Sequence, residues 1–220
     1  MADHFITGWG IIRKNSVVVN GRNGDVEEIF INFAGFIKAL YKKEQLNYPK
    51  FYKMDNLSKL GFLTAELIFK SRNILDQYKR EEFGVIIANS SSSLDTDIHY
   101  QESISDSDNY YPSPSVFVYT LPNILIGEIC IKNGIKGENA FLISESFNAE
   151  LICNYVENLL QTNRIQACIC GWVELLHEEY ESCMMMIEKE KVLAGRNEVT
   201  VKYRTFTKEN ITQLYLNKGT

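Results

Sequence analysis

The stretch Phe141-Leu142-Ile143-Ser144-Glu145-Ser146-Phe147-Asn148-Ala149-Glu150 joins two different sequence patterns. Residues 139–143 read as a short buried strand, whereas Leu151, Ile152, Tyr155, Val156, Leu159 and Leu160 recur at the 3, 4 spacing of an amphipathic helix. Residues 144–148 are therefore a tight strand-to-helix junction. Such a junction aims several backbone N–H groups and the positive end of the helix dipole at one place, where they favour a developing negative charge. A serine there is placed to attack a carbonyl. The alternative is that Ser144 or Ser146 caps the helix, its hydroxyl accepting a backbone N–H.

Working outward, the pattern of strand followed by helix repeats on both sides. Residues 83–88 read as a buried strand, and Asn89-Ser90-Ser91-Ser92-Ser93 follow at its carboxyl end, either as a ligand position of an α/β sheet or as a flexible connector. Residues 95–103 have helical character, and residues 106–111 form a polar loop carrying no packing residues. Pro112-Ser113-Pro114 enforces an extended segment that continues to Tyr119, and Leu121-Pro122-Asn123 opens a helix expected to be apolar nearly all round and so buried. Gly134 and Gly137 end that helix and lead back to the quoted stretch.

Farther out, residues 165–172 and 181–187 read as strands, with His177-Glu178-Glu179 as a solvated loop between them. Residues 198–206 alternate as a strand and 208–215 close with a helix. Before residue 83 a long helix begins near Asn56, with Asn56 or Ser58 as its cap and a further turn at Ile74, Leu75 and Tyr78. The first fifty residues read as loop-rich, with strands at 5–12 and 16–20, a turn at Asn23-Gly24-Asp25 and an apolar run at 29–33. The alternation predicts an α/β fold, a mixed, mostly parallel five-stranded sheet layered with helices, in one domain over residues 1–220.

Composition excludes several classes of function. A net charge of −5 without any Lys/Arg cluster argues against nucleic acid as a partner. No stretch has the apolar length of a membrane span and no secretory signal stands at the N-terminus, so a cytoplasmic protein without a membrane partner is expected. Five cysteines, four of them within apolar runs, point to buried free thiols, and Cys168-Ile169-Cys170 lacks the second pair that a metal site needs, so neither metal nor cofactor is expected. His99 is the one imidazole the pattern offers as a base for Ser146.

Between residues 83 and 174 the order of features resembles the N-terminal half of the β-ketoacyl synthases, enzymes of the thiolase fold. Ser113-Pro114-Ser115-Val116-Phe117-Val118-Tyr119-Thr120-Leu121-Pro122-Asn123, running on to Gly134-Ile135-Lys136-Gly137-Glu138-Asn139, is similar to the segment in which a proline-asparagine helix start leads to a G-x-K-G-x-N turn. Ile143-Ser144-Glu145-Ser146 falls where that family has its nucleophilic cysteine, and Cys170-Gly171-Trp172-Val173-Glu174 resembles its glycine-containing strand end closed by an acid. Phe5-Ile6-Thr7-Gly8-Trp9-Gly10 and Met54-Asp55-Asn56-Leu57-Ser58 resemble its first strand and the start of its first long helix.

The resemblance implies a site at Ser146, in the nucleophile position, with Ser144, Phe147 and Asn148 as substrate-binding residues. It also implies its own limits. Serine stands where the family has cysteine, and the family's catalytic histidines belong to motifs with no match in this chain. A serine hydroxyl without a base is not a nucleophile near neutral pH. The expectation is a non-catalytic ketosynthase-like partner in fatty acid or polyketide-type acyl chain assembly, forming a homodimer or a heterodimer with a complete ketosynthase and binding an acyl chain or acyl carrier protein. The alternative is a serine acyltransferase or thioesterase that uses Ser146.

Overall fold

The computed structural model describes residues 4–26, 30–72, 75–108, 110–189 and 203–216. One sheet runs through all of it. Its body is five strands: β1 (His4–Arg13), β4 (Phe83–Asn89), β5 (Asn139–Ile143), β6 (Ala167–Leu176) and β7 (Glu179–Lys189), in the spatial order β1-β7-β6-β4-β5. Strands β5, β4 and β6 pair in parallel, while β7 is antiparallel to both β6 and β1, so four of the five point the same way and β7 alone is reversed.

The mixed, mostly parallel five-stranded body was legible in the sequence. The count needs a correction: β2 (Ser16–Val19) and β3 (Arg22–Asn23) extend the sheet as a meander beyond β1, and β8 (Arg204–Thr205) pairs with the start of β1, making eight strands. Lys14 and Asn15 take the left-handed conformation that a tight two-residue turn between β1 and β2 requires. His177 does the same between β6 and β7, so the loop expected at residues 177–179 is a hairpin turn.

Helices cover both faces. On one side lie α1 (Phe33–Lys43), α2 (Asn56–Arg72) and α5 (Ile124–Asn133), packed on Val85, Ile87, Ile169 and Met186 of the sheet. On the other lie α6 (Ala149–Gln161) and α7 (Lys208–Leu216), packed on Ile86, Cys170, Trp172, Met185 and Ile187. The second face is thus closed by α7 through Ile211 and Leu214, with Phe206 just before it. Two short helices, α3 (Leu94–Glu102) and α4 (Pro114–Phe117), lie in the connection from β4 to α5.

Several expectations are corrected in detail. The N-terminal fifty residues hold the full helix α1, whose Phe33, Phe36, Ile37, Leu40 and Tyr41 form a buried stripe and whose cap is Asn32, accepting from the Gly35 N–H. The cap of α2 is neither Asn56 nor Ser58 but Asp55, which accepts the Ser58 N–H at 3.1 Å. Residues 114–120 are helical rather than extended, because Ser113 caps Pro114–Phe117 through the Val116 N–H and proline costs nothing in a first turn. Helix α5 is not purely apolar: Glu128 is buried in it, bonded by the Tyr119 hydroxyl at 3.0 Å and by Lys50 Nζ at 2.8 Å. Of the strand expected at residues 198–206, the first five residues lie outside the described residues, as does Ile74 of the turn expected after α2.

Candidate functional site

The carboxyl ends of β4, β5 and β6 come together beside the start of α6. Strand β5 is partly exposed rather than buried, because it lies at the edge of the sheet; it stops at Ile143, and the Ser144 N–H bonds the Asn89 carbonyl at 3.0 Å, which sets the turn against the end of β4. Asn148 then caps α6, its Oδ1 accepting the Leu151 N–H at 2.9 Å. The cap is therefore neither of the two serines. Ser144 donates its hydroxyl to the Ser146 carbonyl at 2.9 Å, bracing the turn from within.

Ser146 is left exposed on a cleft of about 420 Å3, shared with Asn148 and Glu150 at the start of α6 and with Lys208, Glu209 and Thr212 at the start of α7. Phe147 turns inward from the same turn. Its ring meets that of Trp172 on β6 edge-on at 6.0 Å and stacks on that of Tyr215 on α7 at 3.7 Å. So the structure brings Ser144, Ser146, Phe147 and Asn148 together in one turn, with three distinct tasks: bracing, anchoring and capping. Among the described residues the Ser146 hydroxyl makes no hydrogen bond, its carbonyl alone taking part in the turn.

The serine loop after β4 closes the other side. Glu174 on β6 places Oε2 at 2.6 Å from the Ser90 N–H and 3.2 Å from the Ser91 N–H, and the Ser90 hydroxyl donates to the Glu145 carbonyl at 3.1 Å. These N–H groups are the donors that would otherwise face a ligand at the end of β4. They are committed to the chain's own carboxylate. Among the described residues, Glu174 Oε1 and Trp172 Nε1 are buried without a hydrogen-bond partner.

His99 belongs elsewhere. It sits on α3 in a different cavity, of about 280 Å3, with Asp55 and Thr96, and its side chain is 61% exposed, 3.5 Å from Glu102. Among the residues that line the Ser146 cleft, none is a histidine or a cysteine. Lys208 is the basic group there, and sequence reading missed it, because the fold alone brings the start of α7 to the start of α6. The buried-thiol expectation is met: Cys153, Cys168, Cys170 and Cys183 are buried and free, and burial pushes Cys183 up to about 12.

No protein-family model and no curated protein sequence matches the chain. Solved structures do match. The ishigamide ketosynthase/chain length factor aligns with a TM-score of 0.64 at 16% identity, covering 86% of this chain and 63% of that one. A type II polyketide synthase acyl-carrier protein in complex with its ketosynthase bound to the hexaketide (AntDE:AntF) gives 0.63 at 12% identity, covering 90% and 65%. The ketosynthase ApeO in complex with its chain length factor ApeC, from Xenorhabdus doucetiae, gives 0.55 at 12% identity, covering 86% and 79%. The chain spans less than two thirds of the first two matched structures. Together with the layered mixed sheet, these likenesses show that the chain has the thiolase-like fold of the ketosynthases and chain length factors.

Proposed function

We propose that this chain is a non-catalytic ketosynthase-like subunit that works by pairing with a complete ketosynthase in acyl chain assembly. The observation that carries the reading is the free edge of β5. That strand pairs only with β4 among the described residues, so its other edge is open, and open edges recruit strands. Of twelve exposed large apolar side chains among the described residues, seven fall between residues 110 and 143: Tyr110, Tyr111, Phe117, Val118, Leu121, Ile131 and Ile143. Exposed apolar side chains gathered in one stretch of chain, with Ile143 among them at the end of the free-edged strand, are the mark of an interface. The matched structures of a ketosynthase with a chain length factor, and of a carrier protein with its ketosynthase, support a partner of that fold and a carrier protein as a further partner.

Loss of catalysis follows from the junction. Ser146 replaces the expected cysteine, no imidazole lines its cleft, and the N–H groups of Ser90 and Ser91 are taken by Glu174. The test is co-expression with candidate ketosynthases from the same organism, followed by native mass spectrometry. A one-to-one complex that is lost on Ile143→Lys is the expected result. Self-association alone, or no complex with any of them, overturns the reading.

One observation favours a second reading, in which Ser146 accepts an acyl group: Lys208 shares its cleft and supplies a basic group at that end. Intact-mass analysis after incubation with an acyl carrier protein thioester separates the two. An adduct on wild type that is absent from Ser146→Ala makes the chain an acyl-transfer enzyme.

A further inference from the structure

The cavity of about 280 Å3 at the start of α2 contains none of the residues of the Ser146 junction. Most of its polar side chains come from the start of α2 and from α3. Asp55 ends the approach to α2, Lys59 lies one turn into it, and Asp95, Thr96 and His99 stand on α3. Both carboxylates are already committed. Asp55 accepts the Ser58 N–H at 3.1 Å and the Thr96 hydroxyl at 2.9 Å, while Asp95 accepts the His177 N–H at 2.8 Å.

Lys59 is different. It is half-buried on the cavity wall, and among the described residues its amine makes no hydrogen bond and no ion pair within 4.0 Å. Asp55 precedes it by four residues, as the cap of the same helix. Here that aspartate is turned to its capping and tethering bonds, and the amine faces the cavity with apolar Met54 and Val116 among its walls.

We propose that Lys59 is an acyl-accepting lysine, which takes an acyl group from a small thioester entering this cavity. The neutral amine attacks the thioester carbonyl carbon, a C–N bond forms and the C–S bond breaks. The proton lost by nitrogen goes to the departing thiolate, so the products are an amide and a free thiol. His99 also lines the cavity.

The electrostatics agree with this geometry. Burial pushes the Lys59 amine below the usual lysine range, the Asp55 carboxylate opposes that shift, and Lys38 on α1 adds to it. Lys53 brings further positive charge to the cavity, and Asp95 and His99 are the remaining titratable groups of α3 that face it. The lowered range leaves more of the Lys59 amine neutral, and so nucleophilic, near neutral pH.

The inference does not depend on the ketosynthase reading, because a free small thioester suffices. The experiment incubates the full chain with S-acetyl-N-acetylcysteamine over a pH series and follows acetylation of each lysine by peptide mass mapping. The expected result is that Lys59 is acetylated several-fold faster than Lys14 and Lys79 near neutral pH, with its half-maximal rate at lower pH. Lys59→Arg should remove that adduct and leave the other rates unchanged. A Lys59 rate equal to or below those of the two exposed lysines, or no Lys59 adduct, overturns the proposal. An adduct that persists in Ser146→Ala and maps to Lys59 keeps this result distinct from the second reading of the junction.

Discussion

Phe147 and Tyr215 lie ring on ring, centroids 3.7 Å apart and planes within 6°, although one belongs to the β5–α6 turn and the other to the last helix. Around the pair, the Arg13 guanidinium lies 4.5 Å over the Tyr215 ring, the Tyr215 hydroxyl donates to Glu181 Oε1 at 2.5 Å, and Arg13 Nε meets Glu181 Oε2 at 2.9 Å. Burial and the Glu181 carboxylate both hold the phenol protonated, above its usual range. The candidate turn is thereby clamped to the helix that closes this face of the sheet.

Tyr215→Ala should remove the stack, the cation contact and the hydrogen bond together and destabilise the fold by about 3 kcal/mol, in the range of aromatic truncations. Tyr215→Phe keeps the stack and should cost about 1 kcal/mol, the net value of one hydrogen bond. Urea denaturation of both variants checks this. Equal losses would show that the ring contributes nothing.

At the junction, Asn148→Ala should cost about 1 kcal/mol, because it removes the cap of α6. Ser146→Ala should change stability by less than about 0.5 kcal/mol, as for other exposed positions with no structural partner. Thermal melts of the two variants side by side decide whether Ser146 is held in reserve for a partner or a ligand, or is part of the scaffold.

How much of this was legible in the sequence depends on how local each signal was. The strand-turn-helix at residues 139–161 was visible because its period changes from the strand to the helical one within a few residues. Helix α1 was missed although Phe33, Phe36, Ile37 and Leu40 keep helical spacing, since glycine and turn residues just before it drew the reading towards loops. Helix α4 was missed because two prolines dominate residues 112–114, and the Ser113 cap that turns the second into a helix start is a matter of geometry. At the junction, the turn that holds Ser144, Ser146, Phe147 and Asn148 was legible. Lys208, Glu174 as the partner of Ser90 and Ser91, and Tyr215 beneath Phe147 were not, because each lies far along the chain and is brought there only by the sheet order.

Glu128→Ala should be among the most damaging single changes in α5. It strips a buried acceptor from Tyr119 and from Lys50, and truncating one member of such a pair costs about 3 kcal/mol. Chemical denaturation should show that loss, with an unchanged dependence on denaturant if the fold persists.

Alkaline stability should be governed by the buried thiols. Burial pushes Cys130 up to about 11, and burial with the Glu157 carboxylate pushes Cys153 up to about 12, as burial does for Cys183. In the unfolded chain these thiols ionise near 9.0, so above that pH the unfolded state sheds protons that the folded state retains. Their contribution is complete below about pH 9 and is lost as pH rises towards the folded values. Melting temperature should fall across that window in wild type and fall less in Cys183→Ala. Parallel curves would remove the thiols as the cause.

The reversed strand β7 also imposes an order on folding. His4 pairs with Lys189 and Arg13 with Glu181, so one whole side of β1 waits for a strand made more than 160 residues later. The β4-α5-β5 unit closes over a far shorter span and can assemble while the chain is still being made. During synthesis β1 therefore has only the β2–β3 meander for company, and its other edge stays available to wrong partners until nearly the whole sheet has left the ribosome.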